Sequence, residues 1–222
     1  GWGYPGWPTE CVVMSPRYLG DEFDIHGGGM DLKFPHHECE ISQARGLNKP
    51  FARKWIHTNM LTIDGQKMSK SSGNFVTLPE LFENFDPLIV RYFIAASHYR
   101  SVVDFNETVL RSAEVSLKRL HQTVQKLREL KPEEAKPSGK KFEEFRRRFC
   151  QAMDDDFSSP QALAALYDLN REANNLLSEK NPDPEAVADA EHLFSTLGGG
   201  VLGIIPESIQ TSQSEQHMDE VM

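Results

Sequence analysis

The stretch NETVLRSAEVSLKRLHQTVQKLREL, residues 106–130, constrains the fold more than any other part of the chain. Its apolar positions Val109, Leu110, Ala113, Leu117, Leu120, Val124 and Leu127 recur at steps of three and four, so a single long helix would carry one apolar stripe. Such a stripe must be covered, and the text that follows supplies the cover. After the polar, proline-containing linker KPEEAKPSGKK, a second helix is expected from about Phe142. A third should be capped by Ser159 with Pro160 in its first turn, and a fourth, PEAVADAEHLFSTLG, should stop at Gly198–Gly200. The tail SIQTSQSEQHMDEVM is polar, low in aromatic residues and expected to be disordered.

The text before the stripe has a different character. To about Thr77 it is punctuated by glycine and proline, and short apolar runs such as CVVM and WIHTNMLTI read as strands between loops. From Pro79 the pattern turns helical, with Asp86 as N-cap and Pro87 as first helical residue of a helix leading into IAASH. The expected class is therefore α/β, followed by an antiparallel α-helical bundle.

With 222 residues the chain is long enough to bury a core without disulfides, and three scattered cysteines, Cys11, Cys39 and Cys150, do not form a disulfide framework. They suit a reducing, cytoplasmic setting or a metal role. No apolar stretch approaches a membrane span, and the first residues, GWGYPGWPTEC, lack the regions of a signal peptide. Starting at glycine, the chain reads as a piece of a longer protein. A net charge of -9 argues mildly against nucleic acid as a partner, although KKFEEFRRRF, residues 140–149, is locally basic.

Three short blocks can carry chemistry. In FPHHECE, residues 34–40, a helix starting near Pro35 would put His36 and Glu40 on one face, four apart, as two ligands to one ion. The helical metalloprotease pattern fails, because Ile41 stands where its second histidine belongs. Cys11, at the end of a preceding strand, would complete a Cys, His, Glu set; the competing reading is the polar start of a surface helix. The glycines of DIHGGGMD let backbone approach a ligand closely and place Asp31 for a ribose, although the dinucleotide fingerprint is absent. In DGQKMSKSSGN, Lys67 and Lys70 lie three apart in a Ser/Gly-rich loop and suit a polyphosphate, unless the loop is a solvated turn.

Taken in order, GWPTEC, FDIHGGGMDLKFPHHECE, W-x-H-T-N-M, DGQKMSKSSGNF, DP-x-x-x-RYF, HYRS-x-x-DF and AMDDDF-x-S-P-x-A-L resemble the class I aminoacyl-tRNA synthetases, and among them the cysteinyl-tRNA synthetases, from Gly1 to about Pro206. The resemblance implies the C-terminal half of a class I Rossmann-type catalytic domain with zinc site and KMSKS loop over 1–78. It further implies a stem-contact region over 79–105, a tRNA-facing helical bundle over 106–206 and a tail over 207–222. It implies an enzyme that activates cysteine with ATP and Mg2+ and passes it to the 3′ end of tRNA(Cys). One zinc ion, held by Cys11, His36 and Glu40, would select the substrate thiolate. Lys67 and Lys70 would steady the phosphates, with Lys70 binding ATP; Gly27, Gly29 and Asp31 would lie at the adenosine; Trp7 and His26 would wall the cysteine pocket. The intact enzyme is expected to be a monomer.

This sequence departs from the family's pattern in places. Pro8 stands where a histidine usually follows the pocket tryptophan, and Cys39 lies inside the ligand block. The family's fourth ligand, an upstream cysteine, and its His-Ile-Gly-His-type signature belong to a missing N-terminal half, so the chain alone is expected to be inactive. Two related readings are a cysteine ligase that acts on an amino sugar in thiol biosynthesis and a non-catalytic zinc- or RNA-binding remnant. Glu40, the AMDDDF helix and intact KMSKS favour the synthetase.

Overall fold

A computed structural model describes residues 3–68, 75–131 and 135–209, and Lys70 and most of the polar tail lie outside these described residues. The chain divides into two compact units, one of residues 1–74 with 99–105 and one of residues 75–98 with 106–222. The stretch expected as a stem-contact region is thus shared, 79–98 with the second unit and 99–105 with the first.

In the first unit, helix α1 (Trp7–Leu19) precedes strand β1 (Phe23–Gly29), an irregular turn over Lys33–His37, helix α2 (Glu38–Gly46) and strand β2 (Ala52–Thr58). Strands β1 and β2 are parallel, with α2 in the crossover between them, and the register sets His26 beside Trp55 and Gly28 beside His57. A small second sheet follows. Strand β3 (Leu61–Ile63) pairs antiparallel with β4 (Gln66–Lys67) and parallel with β5 (Val103–Phe105).

The run CVVM corrects the sequence reading: it lies inside α1, so Cys11 comes from a helix and not from a strand end. Pro8 in the first turn starts that helix, and of the β-branched pair only Val12 is buried while Val13 is exposed. The local β propensity was overridden by packing of α1 on α2. WIHTNMLTI does form strands, β2 and β3.

The second unit is helical: α3 (Leu78–Phe82), α4 (Pro87–Ala95), α5 (Glu107–Leu130), α6 (Glu143–Asp154), α7 (Ser159–Leu177) and α8 (Pro184–Leu193). Asp86 caps α4 as expected, its side chain accepting from the Leu88 N–H at 2.7 Å. The α5 stripe faces inward, with Leu110, Leu120, Val124 and Leu127 wholly buried, whereas Val109 at its start is exposed. For α7 the N-cap is Ser158, one residue before the expected Ser159. Gly198–Gly200 do not end α8 abruptly; they lie in a wider-wound continuation, Phe194–Val201. The basic run on α6 is neutralised locally, Arg146 by Glu143, Arg147 by Glu144 at 2.6 Å and Arg148 by Asp168 on α7 at 2.7 Å.

Candidate metal centre

The face of α2 and its preceding turn carries His36, Glu40 and Ala44 at four-residue steps, all buried, while Cys39 points to solvent. Cys11 on α1 meets this face, its Sγ 3.7 Å from His36 Nε2, and the ligand atoms of Cys11, His36 and Glu40 all lie within 4.8 Å of one another.

Glu40 is the centre of the arrangement. Its side chain is fully buried, with His36 Nε2 2.9 Å from Oε1 and His26 Nε2 3.1 Å from Oε2. Neither approach has hydrogen-bond geometry, and among the described residues neither oxygen has a donor. A buried carboxylate without donors is costly unless a cation answers it, so the residues present fit a metal ion. Burial first, and then the Glu40 carboxylate, pushes the Cys11 thiol up from its ordinary value, so without a cation the thiol holds its proton more tightly.

Trp7 and His26 both border this set. The Trp7 ring stands edge-on to His36 at 4.4 Å, and His26 packs on Trp55 at 4.7 Å. Behind them is a pair that sequence reading missed: His37 Nδ1 lies 2.8 Å from His57 Nε2. Burial, then the neighbouring His26, His57 and His36, lowers the His37 pKa to about 4. Burial and then Lys33 lower that of His57. Gly28 makes the pair possible. Side chains at 26 and 28 share a face of β1, and a Cβ at Gly28 would sit 2.8 Å from His37 Cε1.

The expected nucleotide residues lie at the end of β1 and just beyond it. Gly27 and Gly29 belong to the strand, and Asp31 folds back so that a Cβ on Gly29 would meet its Oδ1 at 2.4 Å. Asp31 also lines an open cavity of about 590 Å³ with Met30, Lys33, Phe34 and Glu38. Lys67 is exposed on β4.

A second residue not singled out from sequence is Asp104 on β5. Its Oδ1 accepts from Thr62 Oγ1 at 2.6 Å and from the Gly65 N–H at 2.7 Å, pinning the hairpin that carries Lys67. Because one oxygen takes both bonds, Asp104→Asn should keep them and Asp104→Ala should lose them. Alanine is expected to cost about 1–3 kcal/mol locally, read as a roughly ten- to hundredfold faster exchange of the Gly65 amide, with asparagine close to wild type. Equal exchange in all three proteins would remove the clamp.

Residues 1–115 match the family described as tRNA synthetases class I (C) catalytic domain, and residues 148–206 match the DALR domain. A solved LeuRS–tRNA–LeuAMS ternary complex from Agrobacterium radiobacter K84 shares the fold, with a TM-score of 0.58 at 18% identity over 79% of this chain and 25% of that one. The chain is thus built as a class I synthetase catalytic region followed by a DALR helical region.

Within that class it belongs to the cysteinyl-tRNA synthetase family. It is 42% identical to the cysteine–tRNA ligase of Chlorobaculum tepidum over 229 residues, covering 100% of this chain and 46% of that protein. Against the cysteine–tRNA ligases of Deinococcus radiodurans and Thermus thermophilus it is 44% and 43% identical, covering 93% and 94% of this chain. The chain spans about half the length of the curated relatives it matches. Among the described residues no helix is long and apolar enough to cross a membrane.

Proposed function

We propose that this chain contributes the cysteine-recognising and phosphate-facing part of a cysteine–tRNA ligase. In that reaction the carboxylate of cysteine attacks the α-phosphate of ATP, releasing pyrophosphate, and the cysteinyl group passes from the adenylate to the 3′ end of tRNA(Cys). The observation that carries the reading is the fully buried Glu40, donorless at both oxygens, beside His36 and the Cys11 thiol.

Cys11, His36 and Glu40 would hold one zinc ion in this arrangement, a donor set of one sulfur, one nitrogen and one oxygen. When bound, zinc supplies a Lewis acid that lowers a thiol pKa and prefers sulfur to oxygen, a distinction between cysteine and serine that pocket size supplies poorly. The chain's own residues do the rest. Trp7 and His26 border the amino-acid side, and the bare backbone of Gly27 and Gly29, with Asp31 beside them, admits the adenosine. Lys67 meets the phosphates with their Mg2+, together with Lys70, which lies outside the described residues. The DALR match supports tRNA as the partner of the helical region.

Elemental analysis of the purified chain tests the reading. Zinc bound by the wild type, lost in Glu40→Ala and lowered by one equivalent in Cys11→Ala, is expected. In the cobalt-substituted chain, cysteine but not serine should intensify the sulfur-to-cobalt absorption. Wild-type protein that takes up no metal, or that responds equally to serine, would overturn it.

A further inference from the structure

We infer that His26, His37 and Glu40 form a second divalent-cation site beside the thiolate set, with the Glu40 carboxylate shared between the two. This goes beyond the proposed function, which uses one ion and gives His37 no role.

The two oxygens of Glu40 face different neighbours. Oε1 is 2.9 Å from His36 Nε2, on the side of Cys11, whereas Oε2 is 3.1 Å from His26 Nε2. Both are buried without a hydrogen-bond donor. A single cation bound with Cys11 and His36 answers Oε1 and leaves Oε2 facing an imidazole that does not donate to it. The ligand atoms of His26, His37 and Glu40 lie within 4.8 Å of one another, close to the span of ligands around one cation at bonds of about 2.0–2.2 Å.

The surroundings of His37 match those of a metal-bound histidine. Such a ring hands its other nitrogen to a fixed partner, which settles the tautomer and the ring's direction. Here His37 Nδ1 is engaged by His57 Nε2 at 2.8 Å, so Nε2 would be the ligand atom. The ring is seated where Gly28 has no side chain, and it is 3% exposed. His26 is held among Trp55, Phe51 and Phe23, with ring centroids at 4.7, 5.7 and 5.9 Å. These aromatic walls lower the polarity around the ring and strengthen the attraction between a cation and the carboxylate.

The chemistry of this second set differs from that of the first. Two imidazoles and one carboxylate, with no thiol, suit zinc, cobalt or nickel and leave a coordination position open. A carboxylate that offers one oxygen to each of two neighbouring cations is the bridging arrangement of paired metal sites.

A cobalt(II) titration of the metal-stripped chain, followed by bound equivalents and absorption spectrum, tests the inference. The wild type should bind two equivalents, one with a sulfur-to-cobalt band. Cys11→Ala should bind one equivalent without that band, and His37→Ala one equivalent with it. Far-UV circular dichroism checks that each variant folds, and His26→Gln replaces His37→Ala if the latter does not. A wild type that stops at one equivalent, with Cys11→Ala binding none, overturns the second site and leaves the thiolate reading standing. Binding by the wild type with no sulfur band, unchanged in Cys11→Ala, supports the second site and overturns the thiolate reading instead.

Discussion

Replacing Glu40 with leucine is expected to make the metal-free protein more stable while abolishing its response to zinc. The Glu40 side chain is fully buried and both oxygens lack a donor, so without a cation its charge is a burden that a leucine of similar volume removes. An unsatisfied buried polar group costs about 1–3 kcal/mol, and the leucine removes that cost. With zinc at about a thousand times its Kd, the wild type gains about 4 kcal/mol by mass action, and the leucine variant gains nothing. The order of stability therefore reverses between chelator and zinc. All three tryptophans, Trp2, Trp7 and Trp55, fall within residues 1–74, so urea unfolding followed by tryptophan fluorescence reports the first unit without interference from the helices. Two proteins that respond equally to chelator would show that the carboxylate has another purpose.

Acid should weaken the same unit through His37. Its pKa in the folded chain is about 4 against an ordinary 6.5, chiefly because the ring is buried. Folding therefore disfavours the protonated form. The stability tied to the neutral ring is complete above pH 6.5 and is lost as the pH falls towards 4, where the unfolded chain takes up a proton that the folded one refuses. A difference of about 2.5 units corresponds to about 3 kcal/mol. His57, lowered by the same main cause, acts in the same direction. In metal-free protein, tryptophan-detected unfolding at pH 7 and pH 4.5 should show a much larger loss for the wild type than for His37→Gln. Parallel losses in the two proteins would remove His37 as the source.

What could be read from the sequence follows the range of the interactions. His36 and Glu40 were legible because four residues along a helix is a local relation, and α5 because its stripe repeats every few residues over 24 positions. Cys11 was grouped with His36 and Glu40, beside which the structure places it, but from the wrong element. A pair of valines carries a strand preference, and only the packing of α1 on α2 decides otherwise. The His37–His57 pair was out of reach, since it depends on the parallel register of β1 with β2 and on the space left by Gly28. Asp104 was equally hidden: β5 is three residues long, and its partners Thr62 and Gly65 lie some forty positions earlier, at separations of 42 and 39. Periodicity cannot reveal such a contact.

The return of β5 to the first unit has a consequence for how the protein is made. Strand β3 and its hairpin emerge from the ribosome without the strand that β3 pairs with in parallel, because residues 75–98 of the helical unit are translated in between. From Lys67 to Val103 is about 36 residues, so at ~5–20 residues per second the hairpin waits roughly two to seven seconds for its third strand. During that interval one edge of β3 is open to pairing with another nascent chain. A pause in translation between the codons for Met68 and Val103 would prolong the exposure, and faster decoding there would shorten it.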